Sequence, residues 1–381
     1  MRGFAPSEFE ARTQAAQDYM ARHDLAALLL TTETQIRYFT GFLTRFWESP
    51  SRPWFLIVPA SGKPVAVIPS IGAALMGETW LDDIRCWSSP DLADDGVSLL
   101  TDALSEFCPK ESRVAVPDGH ETHLRMPLAD FERLCDGLKP RQICGDFGLM
   151  RALRMIKSPA EIAKIEMACA ISGRAFDRVP EIAHEGATLD EVFRKFQMLC
   201  LEEGADWVPY LAGGAEQGGY TDVISPARST PMAAGDVLML DTGLIWDGYF
   251  CDYDRNWSIG KPTPEVASAY SRLIDATQAA FDIARAGATA SDLFHAMNAV
   301  LSKGGETTDA GRLGHGLGMS LTEWPSLIPT DDTVLKSGMV LTLEPGIAVG
   351  DKIIVHEENI LIGDEAPRFL SPQAHLEIPV L

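Results

Sequence analysis

The sequence predicts two domains: an α/β domain over residues 1–152 and a second, internally duplicated domain over residues 153–381. Three observations lead there. A chain of 381 residues is long for one domain at about 150 residues each. Its first 150 residues alternate helix and strand signals and carry no cluster of catalytic side chains. Beyond them the tripeptide Gly186-Ala187-Thr188 recurs 101 positions later as Gly287-Ala288-Thr289, each time opening an amphipathic run.

In the first domain, Ser7 with Glu10 reads as a capping box, so the run to about His23 is a helix. Ala26–Thr31 is a buried strand, and Thr40-Gly41 closes the next element. Trp54–Pro59 and Pro64–Pro69 flank Ala60–Lys63 and read as a hairpin. Arg113–Val116 is a further short strand. A break falls near Leu149–Ser158, after which Pro159-Ala160-Glu161 starts a long helix with Ile162, Ile165, Ala168 and Cys169 on one face. Thr188 with Glu191 caps a second helix. Leu293, Met297 and Val300 line the helix after Thr289.

Composition narrows the function. Hydrophobic residues are 46% and charged residues 23%, enough for a sizeable core and against wholesale disorder. A formal charge of −22 repels phosphate backbones, so nucleic acid is excluded as a partner. No apolar run is long enough to cross a membrane, and residues 1–6 do not begin a signal peptide. Seven cysteines without a CxxC pair read as reduced, mostly buried thiols of a cytoplasmic protein.

The chemistry concentrates in Val237–Ser258. Two β-type runs flank Asp247-Gly248, a hairpin turn signal. With that turn at the centre, cross-strand partners have numbers that add to 495, and Asp241 faces Asp254. Asp252 shares their face by strand alternation. Three carboxylates this close need a cation between them. The options are a metal or Arg255, which alternation points the other way. Three more polar positions stand in apolar surroundings. His315 is flanked by glycines, which leave room for close approach. Glu344 ends an apolar run before Pro345-Gly346. Glu357 or Glu358 lies inside an apolar strand where an unpaired carboxylate is costly; alternation does not choose between them. Two Asp, one His and two Glu suit divalent Mn, Co, Fe or Zn, and a set so rich in carboxylates suits a pair of ions.

This pattern resembles the pita-bread metallopeptidases: aminopeptidase P, prolidase, methionine aminopeptidase and their creatinase relatives. The matching residues are Asp241, Asp252 eleven positions on, His315 in a Gly-His-Gly run, Glu344 before Pro-Gly, and Glu357 in a closing strand. Lys157–Ile162 also looks like the start of that family's catalytic domain. The resemblance covers essentially the whole chain. It implies a creatinase-like N-terminal α/β domain and an α+β pita-bread catalytic domain with pseudo-twofold halves. It favours Glu357 over Glu358 and implies two divalent metal ions on Asp241, Asp252, His315, Glu344 and Glu357. Glu344 and His315 are then the catalytic residues. His356 and Asp254 would support the ligands. The implied activity is metal-activated hydrolysis of a C–N bond, amide or Xaa-Pro-like, in a small molecule or short peptide. An N-terminal domain in this branch narrows the entrance, often across a dimer, so a homodimer is expected.

Departures from the family pattern keep other readings in view. The histidine that Xaa-Pro peptidases carry 17 residues before the first Asp is Ile224, the one seven residues after the metal His is Thr322, and an Arg of aminopeptidase P is Val355. His184 or His295 is a possible replacement from a distant segment. Gly213-Gly214 and Gly218-Gly219 read as a flexible approach to the site. Tyr220, Asp222, Arg228, Thr322, Glu323 and Trp324 are candidates for lining it, and Trp324 with acidic neighbours suits a cationic group. The alternative function is therefore a non-peptidase member of the family, a lyase or amidinohydrolase acting on a small cationic metabolite. The lyase branch carries an extra Asp where Thr242 stands, so its activity is not carried over. A third reading, a binding module without catalysis, sits poorly with five retained ligands.

Overall fold

Residues 2–48, 52–302 and 311–381 are described by the computed structural model. The chain divides into two units, Met1–Arg154 and Met155–Leu381. The first contains α1 (Pro6–Arg22), β1 (Ala27–Leu30), α2 (Glu33–Thr40), β2 (Phe55–Pro59), β3 (Val65–Pro69), α3 (Ala73–Met76), β4 (Asp83–Trp87), α4 (Val97–Phe107), β5 (Arg113–Val116), α5 (Leu128–Leu138) and β6 (Gln142–Gly145). The helix α6 (Leu149–Met155) runs through the point of division, where the sequence suggests a break. The strands form one mixed sheet in the order β4-β3-β2-β1-β5-β6. The apolar runs of β1, β2 and β3 are buried on both faces, as strands covered on both sides require. Leu29, Ile57 and Val67 pack with Leu100 and Leu104 of α4 and Leu134 and Leu138 of α5. The expected hairpin is present, β2 pairing β3 antiparallel. The expected capping box at Ser7 is not: the cap is two residues earlier, at Ala5, which offers no side-chain acceptor, and α1 begins at Pro6. Proline at the first helical position fixes φ without needing an N–H partner.

The second unit contains α7 (Pro159–Asp177), α8 (Leu189–Glu202), β7 (Trp207–Gln217), β8 (Asp236–Trp246), β9 (Tyr249–Phe250), β10 (Tyr253–Ser258), α9 (Pro264–Ile283), α10 (Ala290–Leu301), β11 (His315–Gly316), β12 (Glu323–Ser326), β13 (Val340–Leu343), β14 (Gly346–Val349), β15 (Lys352–Val355), β16 (Glu358–Leu361) and β17 (Arg368–Phe369). Ser158 and Glu161 close a reciprocal capping box at the start of α7, and Thr289 and Asp292 do so at α10. Thr188 is the cap residue of α8, but its hydroxyl binds Asp190 rather than a backbone N–H.

The duplication extends far beyond one tripeptide. Gly186 N–H bonds Met232 O and Gly287 N–H bonds Leu335 O. Gly235 N–H bonds Ile259 O, and 103 positions on Gly338 N–H bonds Ile362 O. Two helices, α7 and α8, precede the β8–β10 pair, and two helices, α9 and α10, precede the β13–β16 pair. Under the same offset Asp241 corresponds to Glu344 and Asp254 to Glu357. One pair of ligand candidates, Asp241 and Glu344, thus occupies equivalent positions in the two halves, and Glu357 is the counterpart of Asp254. Packing of Leu273, Met297, Leu341 and Ile360 joins the second half's helices and sheet in one core.

Candidate metal centre

The hairpin register is as the turn dictates. Asp247 and Gly248 both have positive φ, 48° and 82°, the backbone of a two-residue hairpin turn. Asp254 pairs with Asp241, Tyr253 with Thr242 and Trp246 with Tyr249. Asp252 lies in the gap between β9 and β10. His315 reaches the site from β11, where Gly314 and Gly316 leave no room for a side chain. A Cβ on Gly314 would lie 2.3 Å from the Thr342 carbonyl oxygen, and one on Gly316 2.0 Å from that of Trp324.

Five side chains converge. Asp252, His315 and Glu344 form one potential ligand group, and Asp241, Asp252 and Glu357 a second, the ligand atoms of each lying within 4.8 Å of one another. Asp252 belongs to both. The structure therefore separates Glu357 from Glu358. Glu358 turns away to Arg255 at 3.0 Å, to Ser371 and to the Ala374 N–H. Burial raises Asp254 and the charge of Arg255 opposes that rise, but the guanidinium is committed to Glu358 and to the Glu357 and Pro372 carbonyls.

The donor set fits a divalent cation. His315 Nδ1 lies 2.8 Å from the Gly316 carbonyl, which can only accept, so Nδ1 carries a proton and the nitrogen facing the centre is Nε2. That nitrogen is 2.9 Å from Glu344 Oε1 and 3.4 Å from Asp252 Oδ2. At these distances a positive charge must lie between the ring and the carboxylates, either a proton on Nε2 or a divalent ion in its place. Asp241 Oδ1, Asp254 Oδ2 and Glu357 Oε1 are buried without a hydrogen-bond partner, an arrangement that coordination would satisfy.

Electrostatics point the same way. Burial, reinforced by Asp254, pushes Asp241 up to about 8 despite a hydrogen bond from Tyr210. Burial and mutual repulsion raise Asp252 and Glu357 well above the carboxylate range. Glu344 behaves oppositely. Burial acts to raise it, but His315, Thr342 and Arg312 together hold it at about 2. Its side chain is 23% exposed, against 4–5% for His315 and Asp252. Asp254 Oδ1 accepts the Glu357 N–H at 2.9 Å. Burial takes the neighbouring His356 down to about 4, and its Nδ1 is 3.6 Å from Asp254.

Several expected pocket residues are elsewhere. Tyr220 is fully buried, its hydroxyl spent on Asn256 and the Val355 N–H. Glu323 is 2% exposed and forms a buried ion pair with Lys157 at 3.2 Å. Both are explained by internal partners rather than by a ligand. Asp222 accepts the N–H groups of Ile224 and Ser225 and shapes a loop. With Arg228 it lines a cleft of about 210 Å³ that includes none of the five metal candidates. Gly213 and Gly214 are not a flexible approach: they lie in β7, paired to Leu240 and Met239. Trp324 lies half-buried in β12 beside β11. Ile224 is 83% exposed, and His184 and His295 are exposed and belong to neither ligand group. All seven cysteines are free, four of them buried.

Two residues escaped the sequence reading. Tyr210 donates to Asp241 Oδ2 at 3.0 Å from the strand next to β8. Arg312 donates to Thr322 Oγ1 at 3.3 Å, and its charge acts on both Asp252 and Glu344. A tyrosine in a strand bordering the aspartate hairpin and an arginine three residues before the histidine were the available signals.

Comparison with known proteins identifies the family. Residues 12–156 match the creatinase/prolidase N-terminal domain and residues 163–364 match metallopeptidase family M24. A probable dipeptidase, PepE, of Mycobacterium tuberculosis is 29% identical over 97% of this chain and 98% of its own length. An Xaa-Pro dipeptidase of Pyrococcus furiosus is 31% identical over 58% of this chain and 65% of its own. The crystal structure of dipeptidase PepE from Mycobacterium ulcerans superposes with a TM-score of 0.86 at 28% identity, covering 99% of both chains. With the family match spanning more than half of its length, this chain belongs to metallopeptidase family M24.

Proposed function

We propose that the chain is a metal-dependent dipeptidase of the Xaa-Pro type. Asp241, Asp252, His315, Glu344 and Glu357 would hold two divalent ions, Mn, Co, Fe or Zn. The observation that carries this reading is the place of Asp252 in two overlapping ligand groups. A divalent pair supplies what these side chains lack, positive charge for a developing oxyanion and acidification of the attacking water.

The chain's own groups supply the rest. Glu344 is more open to a substrate than its neighbour His315, with its side chain 23% exposed against 4%. It takes the proton of the attacking water and returns it to the leaving amine. Tyr210, which burial and the nearby aspartates keep protonated, fixes the orientation of the Asp241 carboxylate. Arg312, tied to Thr322, adds positive charge on Glu344 and Asp252, a part that the histidines missing at Ile224 and Thr322 would otherwise share. Thr322 and Trp324 remain the substrate contacts of this reading.

Relatives named as dipeptidases, one of them spanning nearly the whole chain, support cleavage of short peptides. They do not favour the lyase or amidinohydrolase alternative. Seven free thiols support a cytoplasmic location, and among the described residues no helix is long and apolar enough to cross a membrane. The homodimer follows from the family resemblance.

The test is hydrolysis of Xaa-Pro and proline-free dipeptides in heavy-oxygen water by protein stripped of metal and reloaded with each ion. Label should enter the freed carboxylate. Reloaded protein that holds metal yet cleaves no dipeptide would overturn the peptidase reading, and turnover without label would transfer the site to elimination chemistry.

A further inference from the structure

Two asparagines tie the halves of the second unit together across the centre. Asn359 in β16 is fully buried. Its carboxamide oxygen accepts the Asp252 N–H at 3.0 Å, and its nitrogen donates to the Asp252 carbonyl. This is the two-point bond that a neighbouring strand would provide, made where the strand is interrupted between β9 and β10. Asn359 is itself held by its main chain, which bonds Ser371 Oγ and the Leu370 N–H.

Asn256 stands 103 positions before Asn359 and Val355 stands 103 positions after Asp252. Asn256 donates to the Val355 carbonyl at 2.8 Å. The Val355 N–H bonds the Tyr220 hydroxyl at 2.7 Å, which donates to Asn256 Oδ1 at 3.2 Å. The same clasp is therefore made in both directions, with a tyrosine hydroxyl inserted in the second. In one direction the clasped residue is a ligand candidate. In the other it stands two residues before Glu357. An apolar side chain at either place would leave backbone groups of the clasped segment buried without partners, which is costly.

Granting the metal centre described above, we propose that Asn359 and Asn256 are positioning residues, each half of the unit using its asparagine to set the ligand segment of the other. The substitution Asn359→Leu keeps the branched shape of the side chain and removes both bonds to Asp252. On the full chain, Mn²⁺ affinity measured by chelator competition should fall about ten- to hundredfold. The visible absorption of the Co²⁺-loaded protein should change, because the Asp252 carboxylate is released from its fixed position. Val266→Ala, a buried helix position in the same core, is the control: it should lower the melting temperature and leave Mn²⁺ affinity as it was. Asn256→Leu touches no ligand directly and should weaken Mn²⁺ binding by about tenfold, the lower end of the same range. It carries the test if Asn359→Leu does not fold. Wild-type affinity and an unchanged Co²⁺ spectrum in the asparagine variants would overturn the proposal, as would an equal loss in Val266→Ala. Failure of the wild-type chain to take up Mn²⁺ or Co²⁺ would overturn the metal reading instead.

Discussion

Tyr210 holds one oxygen of Asp241, and the other is buried without a hydrogen-bond partner. Removing the hydroxyl leaves the carboxylate free to turn. Tyr210→Phe should therefore lower kcat/KM about tenfold, the low end for a residue that orients a ligand, with little change in melting temperature. Steady-state kinetics beside a thermal melt checks it. Glu323 should behave in reverse. Breaking its buried pair with Lys157 leaves an uncompensated charge, so Glu323→Ala should cost about 3–5 kcal/mol in denaturant unfolding. Unaltered stability with lost activity would return Glu323 to the substrate pocket. Residue chemistry made Asp241, Asp252, His315 and Glu344 legible, because carboxylates and a glycine-flanked histidine stand out in apolar runs. Glu357 and Glu358 were not separable by alternation, since β16 begins between them. Tyr210 and Arg312 were hidden because their partners lie far along the chain.

At the scale of elements, local signals carried the hairpin and long-range ones did not carry the glycines. Asp247-Gly248 sets the register of β8 and β10 within a few residues, so Asp241 opposite Asp254 could be read directly. Gly213 and Gly214 looked like a loop because glycine disfavours strands. They lie in β7 where neighbours pass too close for a side chain: a Cβ on Gly213 would lie 2.1 Å from Met239 O in β8, and one on Gly214 2.7 Å from the Tyr220 Cβ. The same crowding at β11 gives a prediction. Gly316→Ala forces a methyl group against the Trp324 carbonyl and must part β11 from β12 or displace His315. Overpacking of this kind costs about 1–3 kcal/mol, and metal affinity should fall with it. A melt and a metal titration of the same sample read both.

For the whole second unit, the duplication was legible as one repeated tripeptide, while its extent emerged only from matched backbone bonds. Those bonds bring acidic ligands from both halves into one buried place, which couples metal, protons and stability. Asp241 rises from 3.8 to about 8, and Asp252 and Glu357 rise as well. In metal-free protein these groups keep protons that the unfolded chain has released. The stability they contribute is complete below about pH 4 and is lost as pH rises through 8. Glu344, lowered to about 2, has the opposite sign, but its window lies below about pH 4.5. Metal replaces the bound protons. The gap in melting temperature between metal-loaded and chelator-treated protein should therefore widen from pH 5 to pH 8; a constant gap would contradict this. The centre's division between halves also bears on the order of folding events. Its ligands run from Asp241 to Glu357, so no early hairpin contains a complete site, and closing so long a loop is slow. Metal should then leave the refolding rate almost unchanged and act by slowing unfolding, making the ion a lock on the finished fold rather than a template for reaching it.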